Sequence, residues 1–268
     1  NNYIPPQDPA PPRTPREKFA ANITAIRTLK SIEKRMADGG PHANSEEQEI
    51  LAQYSGWGGL SDAFEPNKDS WHGEYTELKS LLTEEEYAAA RSSTLTAFYT
   101  PPEVIDAMYT ALRKMGVGAG TILEPSMGVG AFFGQSHSYL YEPTTRLFGV
   151  ELDSLTGRIA RQLYQKANIQ ITGFEKADLP DSFFDVVIGN VPFGDYSVVD
   201  PQYNRLHFKI HDYFFAKSID KLRTGGIIAF VTSSGTLDKK SEEVRRYINA
   251  RCDFIGAVRL PDSTFKSA

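Results

Sequence analysis

The sequence predicts an α/β protein with a doubly wound, mostly parallel sheet and a helical N-terminal extension. Two observations lead to this prediction. From about residue 97 onward, short apolar segments alternate with helix-like segments, a rhythm typical of parallel strands whose connecting helices cover both faces of the sheet. Upstream of residue 97, apolar residues recur at helical spacing and no strand-like alternation is visible.

The front third is predicted to form an arm followed by helices. The first 16 residues contain six prolines and no apolar block, so we expect an extended arm there. A helix is predicted over residues 17–38, where apolar residues recur at near-helical spacing. A second helix is predicted to begin at Ser45, since Ser45 and Gln48 have the spacing of a capping box. Thr83 is expected to begin a third, with three glutamates in its first turn.

The α/β core is predicted to occupy residues 97–268, which makes residues 17–96 a helical N-terminal region. Its predicted strands cover residues 121–124, 146–150, 168–172, 184–189, 226–232 and 253–258. Its predicted helices cover residues 101–115, 131–140, 153–167, 211–223 and 241–250. Ligands of doubly wound sheets bind at the carboxyl ends of the strands, so the functional residues are expected there.

The composition restricts the possible functions. An apolar content of 40% and a charged content of 24% are ordinary for a soluble globular protein, and no apolar run is long enough to predict a membrane span. The net charge of −5 argues against a strongly cationic nucleic-acid binder, although a local basic face would suffice. Cys252 is the single cysteine, which excludes an internal disulfide and fits a reducing, cytoplasmic location.

Two strand ends in the core carry residues suited to an adenosine-containing cofactor. The first predicted strand continues into EPSMGVG, residues 124–130, where glycines let a ligand approach the backbone. That loop alone could be a simple turn. About twenty residues beyond it, Glu151 ends the second strand, where an acidic side chain can accept hydrogen bonds from ribose hydroxyls. A solvated strand end is the alternative interpretation of Glu151.

The order of the motifs resembles that of the gamma-class adenine-N6 DNA methyltransferases, over roughly residues 97–265. FYTPPEVI (98–105) resembles the segment that closes over the methionine end of S-adenosylmethionine, EPSMGVG the cofactor loop, and VELD (150–153) the ribose-binding acid. Asn190-Val191-Pro192-Phe193 resembles the catalytic Asn-Pro-Pro-Tyr/Phe loop. The resemblance implies a Rossmann-like class I methyltransferase fold.

The resemblance also implies site residues, a cofactor and a substrate. The implied cofactor-binding residues are Tyr99, Thr100, Pro101, Glu124, Pro125, Ser126, Gly128, Gly130, Glu151, Leu152, Phe174 and Asn190. The implied catalytic residues are Asn190, Val191, Pro192 and Phe193. The cofactor is S-adenosylmethionine, the partner is DNA with a flipped adenine, and no metal is needed.

The chemistry of adenine methylation explains these catalytic residue types. The amino nitrogen of adenine is a poor nucleophile because its lone pair is delocalised into the ring. The side-chain oxygen of Asn190 and the carbonyl of Val191 can accept its two hydrogens and stabilise the positive charge that develops during attack. Pro192 would stiffen the loop, and Phe193 would stack on a base flipped out of the duplex. A plain strand-ending turn is the alternative interpretation.

Two positions depart from the family pattern. Gly173 stands where the family has an aspartate that contacts the adenine amino group of the cofactor, so this contact would be weaker or supplied elsewhere, for instance by Asp178. Phe174 remains to pack against the adenine, unless it is only a core aromatic. Val191 replaces the first proline of the loop, which should matter little because a valine carbonyl accepts equally well.

Three further features are interpreted without the motifs. His207 and His211 have a spacing that could suit a metal, but core or helix-start contacts are favoured. Trp57, within YSGWGGL (54–60), is either a packing corner, which we favour, or a stacking platform for nucleic acid. Similar segments occur in large helicase-methylase proteins of bacterial mobile elements. Since the final strand and a DNA-reading region are not visible, we expect a longer polypeptide with a linked recognition or helicase region.

The leading hypothesis is therefore an enzyme that methylates adenine N6 in DNA, as restriction-modification methyltransferases do. One alternative is a protein glutamine methyltransferase, because an amide nitrogen poses the same lone-pair problem. Another is a catalytically degenerate methyltransferase fold that serves as a DNA-docking module of a larger helicase-containing protein.

Overall fold

Five parallel strands form the sheet at the centre of the computed structural model, which describes residues 1–6, 13–94, 99–140, 144–261 and 264–265. The strands are β1 Thr121–Glu124, β2 Arg146–Glu151, β3 Asn168–Ile171, β4 Phe184–Asn190 and β5 Leu222–Val231. Their order is β3-β2-β1-β4-β5, and every neighbouring pair is parallel. The order reverses between β1 and β4, so ligands are expected above the ends of these two strands.

Ten α-helices surround the sheet in the described part of the chain. Four lie in the N-terminal region: α1 Pro15–Ala37, α2 Ser45–Leu51, α3 His72–Leu81 and α4 Glu84–Ser93. Six lie in the core: α5 Pro102–Lys114, α6 Ala131–Tyr139, α7 Ser154–Leu163, α8 Ile210–Lys221, α9 Gly235–Asp238 and α10 Glu243–Asn249. None of the helices described is long and apolar enough to cross a bilayer.

Alternate residues of the central strands are buried on opposite faces of the sheet. Ile122 and Val186 pack in an apolar cluster with Tyr109 of α5, whereas Leu123 and Val187 pack in another cluster with α8. This period of two is the geometry of an extended strand, and it requires helices on both faces. The doubly wound, Rossmann-like sheet predicted from the sequence is confirmed.

The N-terminal helices pack on α7, at the edge of the core. Ile26 and Leu29 of α1 belong to the same apolar cluster as Ile159 and Leu163 of α7. Arg158 of α7 adds charge to this contact, since its guanidinium pairs with Glu33 of α1 and Glu86 of α4, both at 2.7 Å. The N-terminal helices and α7 therefore share one hydrophobic cluster, which also includes Ile169 of β3.

The structure corrects three predictions of secondary structure. The capping box of α2 joins Asn44 and Glu47, not Ser45 and Gln48: each side chain accepts a 2.9 Å hydrogen bond from the other residue's amide. Gln48 is buried and donates to the Gln162 carbonyl. Helix α3 was not predicted at all. Residues 253–258, predicted as a sixth strand, form no strand among the residues described and expose Phe254, Ile255 and Val258.

The proline-rich head is described only in part. Residues 7–12 lie outside the described residues, as do residues 97 and 98, where the core and the FYTPPEVI segment are predicted to begin. Before this gap, the Tyr3 amide donates to the Leu163 carbonyl at 2.7 Å, and Asn2 forms a single antiparallel bridge with Tyr164. The first residues thus lie against the end of α7.

Candidate active site

Three predicted site residues stand at the carboxyl ends of neighbouring strands. Glu124 ends β1, Glu151 ends β2 and Asn190 ends β4. The ends of β1 and β4 are close, since a Cβ added to Gly189 would lie 3.4 Å from Glu124 Cγ. Parallel strands bring their carboxyl ends to the same edge of the sheet, which is why residues more than sixty positions apart meet there.

The loop after β1 turns tightly under this edge. The Met127 amide donates to the Val150 carbonyl at 3.0 Å, and the Gly130 amide donates to the Met127 carbonyl at 2.8 Å. Gly130 has a left-handed φ of +87°, and a Cβ there would lie 2.5 Å from the Tyr164 ring. Only glycine fits this position. Pro125, Ser126 and the other residues that EPSMGVG contributes to the predicted site are therefore held at the sheet edge.

Glu151 holds the same loop from the neighbouring strand. Its carboxylate accepts hydrogen bonds of 2.8 Å from the amides of Gly128 and Asp153. Burial raises the pKa of Glu151 to about 7, against the opposing effect of these two amide donors. Leu152, which follows it, exposes 75% of its surface, so only its backbone is held near the loop.

Glu124 is buried and has spare hydrogen-bonding capacity. Its Oε2 atom finds no hydrogen-bond partner among the residues that the structure describes. Burial, together with the nearby charge of Glu151, raises the pKa of Glu124 well above its ordinary value. A buried acceptor without a donor is costly. Glu124 and Glu151 thus form an acceptor site suited to a ligand that brings a cation or hydroxyl groups.

Residues 99–101 immediately precede α5, which begins at Pro102. Tyr99 lies against the loop after β1, since a Cβ added to Gly128 would lie 3.5 Å from its ring. Thr100 is buried. Pro101 is the N-cap residue of α5. The structure therefore brings Tyr99 to the loop after β1, and its role in cofactor binding stays a prediction.

Phe174 lies in a dense aromatic cluster. Its ring centroid is 4.9 Å from that of Phe214, and Lys217 Nζ lies 5.3 Å above the ring. The neighbouring Gly173 makes room for another side chain: a Cβ added there would overlap the carboxylate of Glu175. Asp178, the predicted substitute for the missing aspartate, is exposed. Sequence reasoning missed Glu175, because its approach to Gly173 depends on the short helical turn Phe174–Lys176.

The Asn190-Val191-Pro192-Phe193 segment continues the β4–β5 ladder past the end of β4. Asn190 pairs with Val231 in register, and the Val191 amide donates to the Val231 carbonyl at 3.1 Å. The Val191 side chain is buried, whereas Phe193 exposes 38% of its surface. Pro192 lies half-buried between them. The segment is thus anchored at one end and presents an aromatic ring to solvent at the other.

A buried aspartate lies on α8, three residues beyond Lys209, whose ion pair holds the loop that follows Phe193. Lys209 pairs with Asp195, and the Ile210 amide donates to the Tyr196 carbonyl at 2.8 Å. Asp212 is fully buried and pairs with Lys239. This pair could not be predicted from the sequence, because its members are 27 residues apart and follow no motif.

The two histidines take structural positions. His207 ends a short helical turn in the left-handed conformation, with φ of +51°. His211 is buried in the first turn of α8, with Nε2 3.6 Å from Asp212 Oδ2, and burial lowers the pKa of its imidazole. Trp57, at 2% exposure, is buried against Phe64 and Tyr54. It is a packing residue, and its ring is not available as a stacking platform.

Comparison with known proteins places these features in a family. The model of the N-6 DNA Methylase family matches residues 81–268. The chain is 26% identical over 251 residues to Defense against restriction protein B of Escherichia phage P1, covering 91% of this chain and 9% of that protein. It is 25% identical over 156 residues to Uncharacterized protein YtxK of Bacillus subtilis, covering 53% of this chain and 46% of that protein. The chain therefore spans less than half the length of either relative.

A solved structure with a similar fold is the methyltransferase subunit of a type I restriction-modification system from Streptococcus thermophilus. It has a TM-score of 0.47 at 19% sequence identity, covering 85% of this chain and 59% of that one. The cofactor of the family is S-adenosylmethionine, and its ammonium group and ribose hydroxyls are donors of the kind that the Glu124 oxygen lacks. By the match over residues 81–268, the chain belongs to the N-6 DNA methylase family.

Proposed function

We propose that this protein transfers a methyl group from S-adenosylmethionine to the N6 amino group of adenine in DNA. The observation that carries the proposal is the position of Asn190-Val191-Pro192-Phe193 at the carboxyl end of β4. It lies beside the strand end that carries Glu124 and the glycine loop. A loop that offers acceptors to the target base and a neighbouring acceptor site for the cofactor, both at one sheet edge, are the two parts that such a transfer needs.

Asn190 and Val191 are proposed to bind the amino group of a flipped adenine. The Asn190 side-chain oxygen and the Val191 carbonyl would each accept one hydrogen and stabilise positive charge on the nitrogen during attack. The hydrogen bond from the Val191 amide to the Val231 carbonyl fixes the backbone at this point, so the acceptors need little reorganisation. The exposed Phe193 ring is proposed to stack on the base, which must leave the duplex to be reached.

The glycine loop, Glu124 and Glu151 are proposed to hold the cofactor. When bound, S-adenosylmethionine supplies an electrophilic methyl group. The unpartnered Glu124 oxygen is proposed to accept from the cofactor's ammonium group, and Glu151 from the ribose hydroxyls. Residues 99–101 are proposed to cover the cofactor, and the Leu152 backbone to border its adenosine.

The adenine end of the cofactor is proposed to lie near Phe174 and Glu175. The Glu175 carboxylate fills the space that a side chain at position 173 would occupy. We propose that it accepts the hydrogen bond that an aspartate at position 173 would accept in the family. Glu175 thereby replaces Asp178 in this role, and the departure at Gly173 is compensated.

The proposed partners extend beyond this chain. Because the chain covers 9% of its phage relative, we propose that a linked recognition or helicase region selects the DNA site. The reaction would take place on DNA in the cytoplasm. The protein's net charge of −5 also fits the proposal that another region supplies most contacts to the DNA phosphates.

The test is a methylation assay with labelled S-adenosylmethionine and adenine-unmethylated DNA, with N6-methyladenine detected by mass spectrometry. A parallel incubation with protein substrates tests glutamine methylation. Asn190→Ala is expected to lower kcat by about 100-fold or more, because one acceptor of transition-state charge is lost. Its Kd for S-adenosylmethionine should change far less than kcat.

The outcomes separate the possible functions. Methylated glutamine without methylated adenine would favour the protein methyltransferase. Unchanged DNA methylation by Asn190→Ala would contradict the catalytic assignment. Absence of methylation on either substrate, with cofactor and DNA both bound, would favour a docking module.

A further inference from the structure

A loop of the N-terminal helical region lies directly on the proposed cofactor site. Loop 55–57 follows α2 and passes close to Tyr99: a Cβ added to Gly56 would lie 3.0 Å from the Tyr99 hydroxyl and 3.1 Å from its ring. On its other side, the Tyr99 ring lies against Gly128. Tyr99 is therefore held between a glycine of the helical region and a glycine of the cofactor loop.

Asn22 of α1 fixes the position of loop 55–57. Its side chain is fully buried. Its amide nitrogen donates to the Gly56 carbonyl at 2.6 Å, and its amide oxygen accepts from the Ser55 amide at 2.9 Å. Both polar groups of one buried side chain are thus used on two successive residues of the loop. A buried amide is costly unless it is paired, and here the pairing specifies one loop conformation.

Trp57 anchors the end of the same loop. Its ring lies 5.4 Å from Phe64 and 6.3 Å from Phe19, edge-on or tilted to both. Aromatic packing of this kind is rigid and specific. Hydrogen bonds therefore hold loop 55–57 on one side and a packed tryptophan holds it on the other, so the loop cannot easily withdraw from Tyr99.

We infer that Asn22 and Gly56 are positioning residues for S-adenosylmethionine binding, acting through Tyr99. The inference rests on the proposed role of Tyr99 at the cofactor site. It makes the N-terminal helical region part of the cofactor site and explains the unusual YSGWGG segment, which the motifs of the core leave without a role. The tyrosine phenol is a neutral contact there at physiological pH, and burial raises the pKa of Tyr99 further above its ordinary value.

Two glycines of this segment form a matched pair for the test. Gly56 and Gly59 have left-handed φ angles of +67° and +73°, so alanine strains the backbone similarly at both positions. A Cβ at Gly56 would press on Tyr99, whereas a Cβ at Gly59 has no atom within 4 Å. The two variants therefore differ in their effect on Tyr99 more than in backbone strain.

The experiment is calorimetric titration of the 268-residue chain and its variants with S-adenosylmethionine, alongside thermal unfolding. Gly56→Ala is expected to weaken binding about tenfold or more, and Gly59→Ala to stay within about twofold of the wild type. Their Tm values should fall by similar amounts. In methylation assays, Gly56→Ala should raise KM for S-adenosylmethionine and leave kcat nearly unchanged.

Asn22→Asp provides a second route if Gly56→Ala does not fold. The substitution keeps the acceptor for the Ser55 amide but replaces the donor with an oxygen facing the Gly56 carbonyl, so weaker cofactor binding is expected. Equal affinities for the two alanine variants, or full affinity in Asn22→Asp, would overturn the inference and leave the proposed function standing. A wild-type chain that binds no S-adenosylmethionine would instead overturn the proposed cofactor site itself.

Discussion

The Gly128 amide donates a 2.8 Å hydrogen bond to the Glu151 carboxylate, so the loop after β1 is tied to the end of β2. The Asp153 amide donates to the same carboxylate. Two amide donors ordinarily favour the charged form of an acid, yet burial raises the pKa of Glu151 to about 7. The charge of this residue therefore changes within the physiological pH range.

This pKa predicts that cofactor affinity depends on pH. A carboxylate offers acceptors to the ribose hydroxyls, whereas its protonated form gives one of them up. Because Glu151 loses its proton as the pH rises through about 7, the Kd for S-adenosylmethionine should decrease between pH 6 and pH 8. Titration calorimetry at pH 6, 7 and 8 measures this. Glu151→Gln, which does not titrate, serves as the control, and an equal slope in that variant would refute the assignment.

We expect a carboxylate at position 173 to be able to replace that of Glu175 in binding the adenine amino group of the cofactor. Glu175→Ala should weaken S-adenosylmethionine binding about tenfold, since one charge-assisted hydrogen bond to the adenine amino group is lost. Gly173→Asp combined with Glu175→Ala should restore most of the affinity, because the new carboxylate enters the space that Glu175 leaves. Asp178→Asn should change nothing, as that residue is exposed.

Two results would contradict the exchange. One is full affinity for S-adenosylmethionine in Glu175→Ala. The other comes from an analogue that lacks the adenine amino group: its affinity, relative to that of the cofactor, would fall as much in Glu175→Ala as in the wild type. Calorimetric titration with the cofactor and with that analogue measures both quantities.

The features predicted correctly from the sequence are those that local residue patterns and the order of the elements along the chain determine. The strands that end at Glu124, Glu151 and Asn190 were placed correctly, because a short apolar run followed by a special loop is a local signal. The Thr83 cap of α4 was equally local. The predicted roles of the site residues stay predictions until the cofactor and DNA experiments are done.

The parts that were missed depend on distant contacts or on a shift of one residue. Asn22 reaches loop 55–57 across more than thirty positions, and no pattern in α1 marks it as different from a surface asparagine. The Asn44 cap was displaced by one position because Ser45 is an equally good capping residue. Residues 253–258 have a strand-like composition, but a strand also requires a partner, and composition does not reveal one.

The hydrogen bond of the Val191 amide indicates that the proline typical of the family would destabilise the protein at position 191. This amide donates to the Val231 carbonyl at 3.1 Å, and proline has no N–H. Val191→Pro should therefore lower the free energy of unfolding by about 1–3 kcal/mol, the cost of leaving a buried acceptor unpaired. Urea unfolding measures the change, and Val191→Ile, which keeps the amide, is the control. A proline variant as stable as the wild type would show that the loop can dispense with this bond.

We expect the two members of the Asp212–Lys239 ion pair to differ in how much their replacement lowers the free energy of unfolding. Asp212 is fully buried, whereas the Lys239 side chain keeps about a quarter of its surface exposed, at 24%. Lys239→Met strands a charge that cannot reach water, so a loss of about 3 kcal/mol in the free energy of unfolding is expected. Asp212→Asn should cost less, since the lysine can turn toward solvent.

A double-mutant cycle tests this asymmetry. The Asp212→Asn, Lys239→Met double variant removes both charges and should be more stable than Lys239→Met alone. The four proteins are compared by urea unfolding at pH 7. Equal losses in the two single variants would contradict the asymmetry, and a double variant that loses the sum of both would mean that the two charges do not stabilise each other. Asp212 follows His211 in the first turn of α8, just beyond the ion pair of Lys209 with Asp195. The same variants should therefore also loosen the loop after Phe193. We expect them to lower kcat for adenine methylation more than they change the Kd for S-adenosylmethionine.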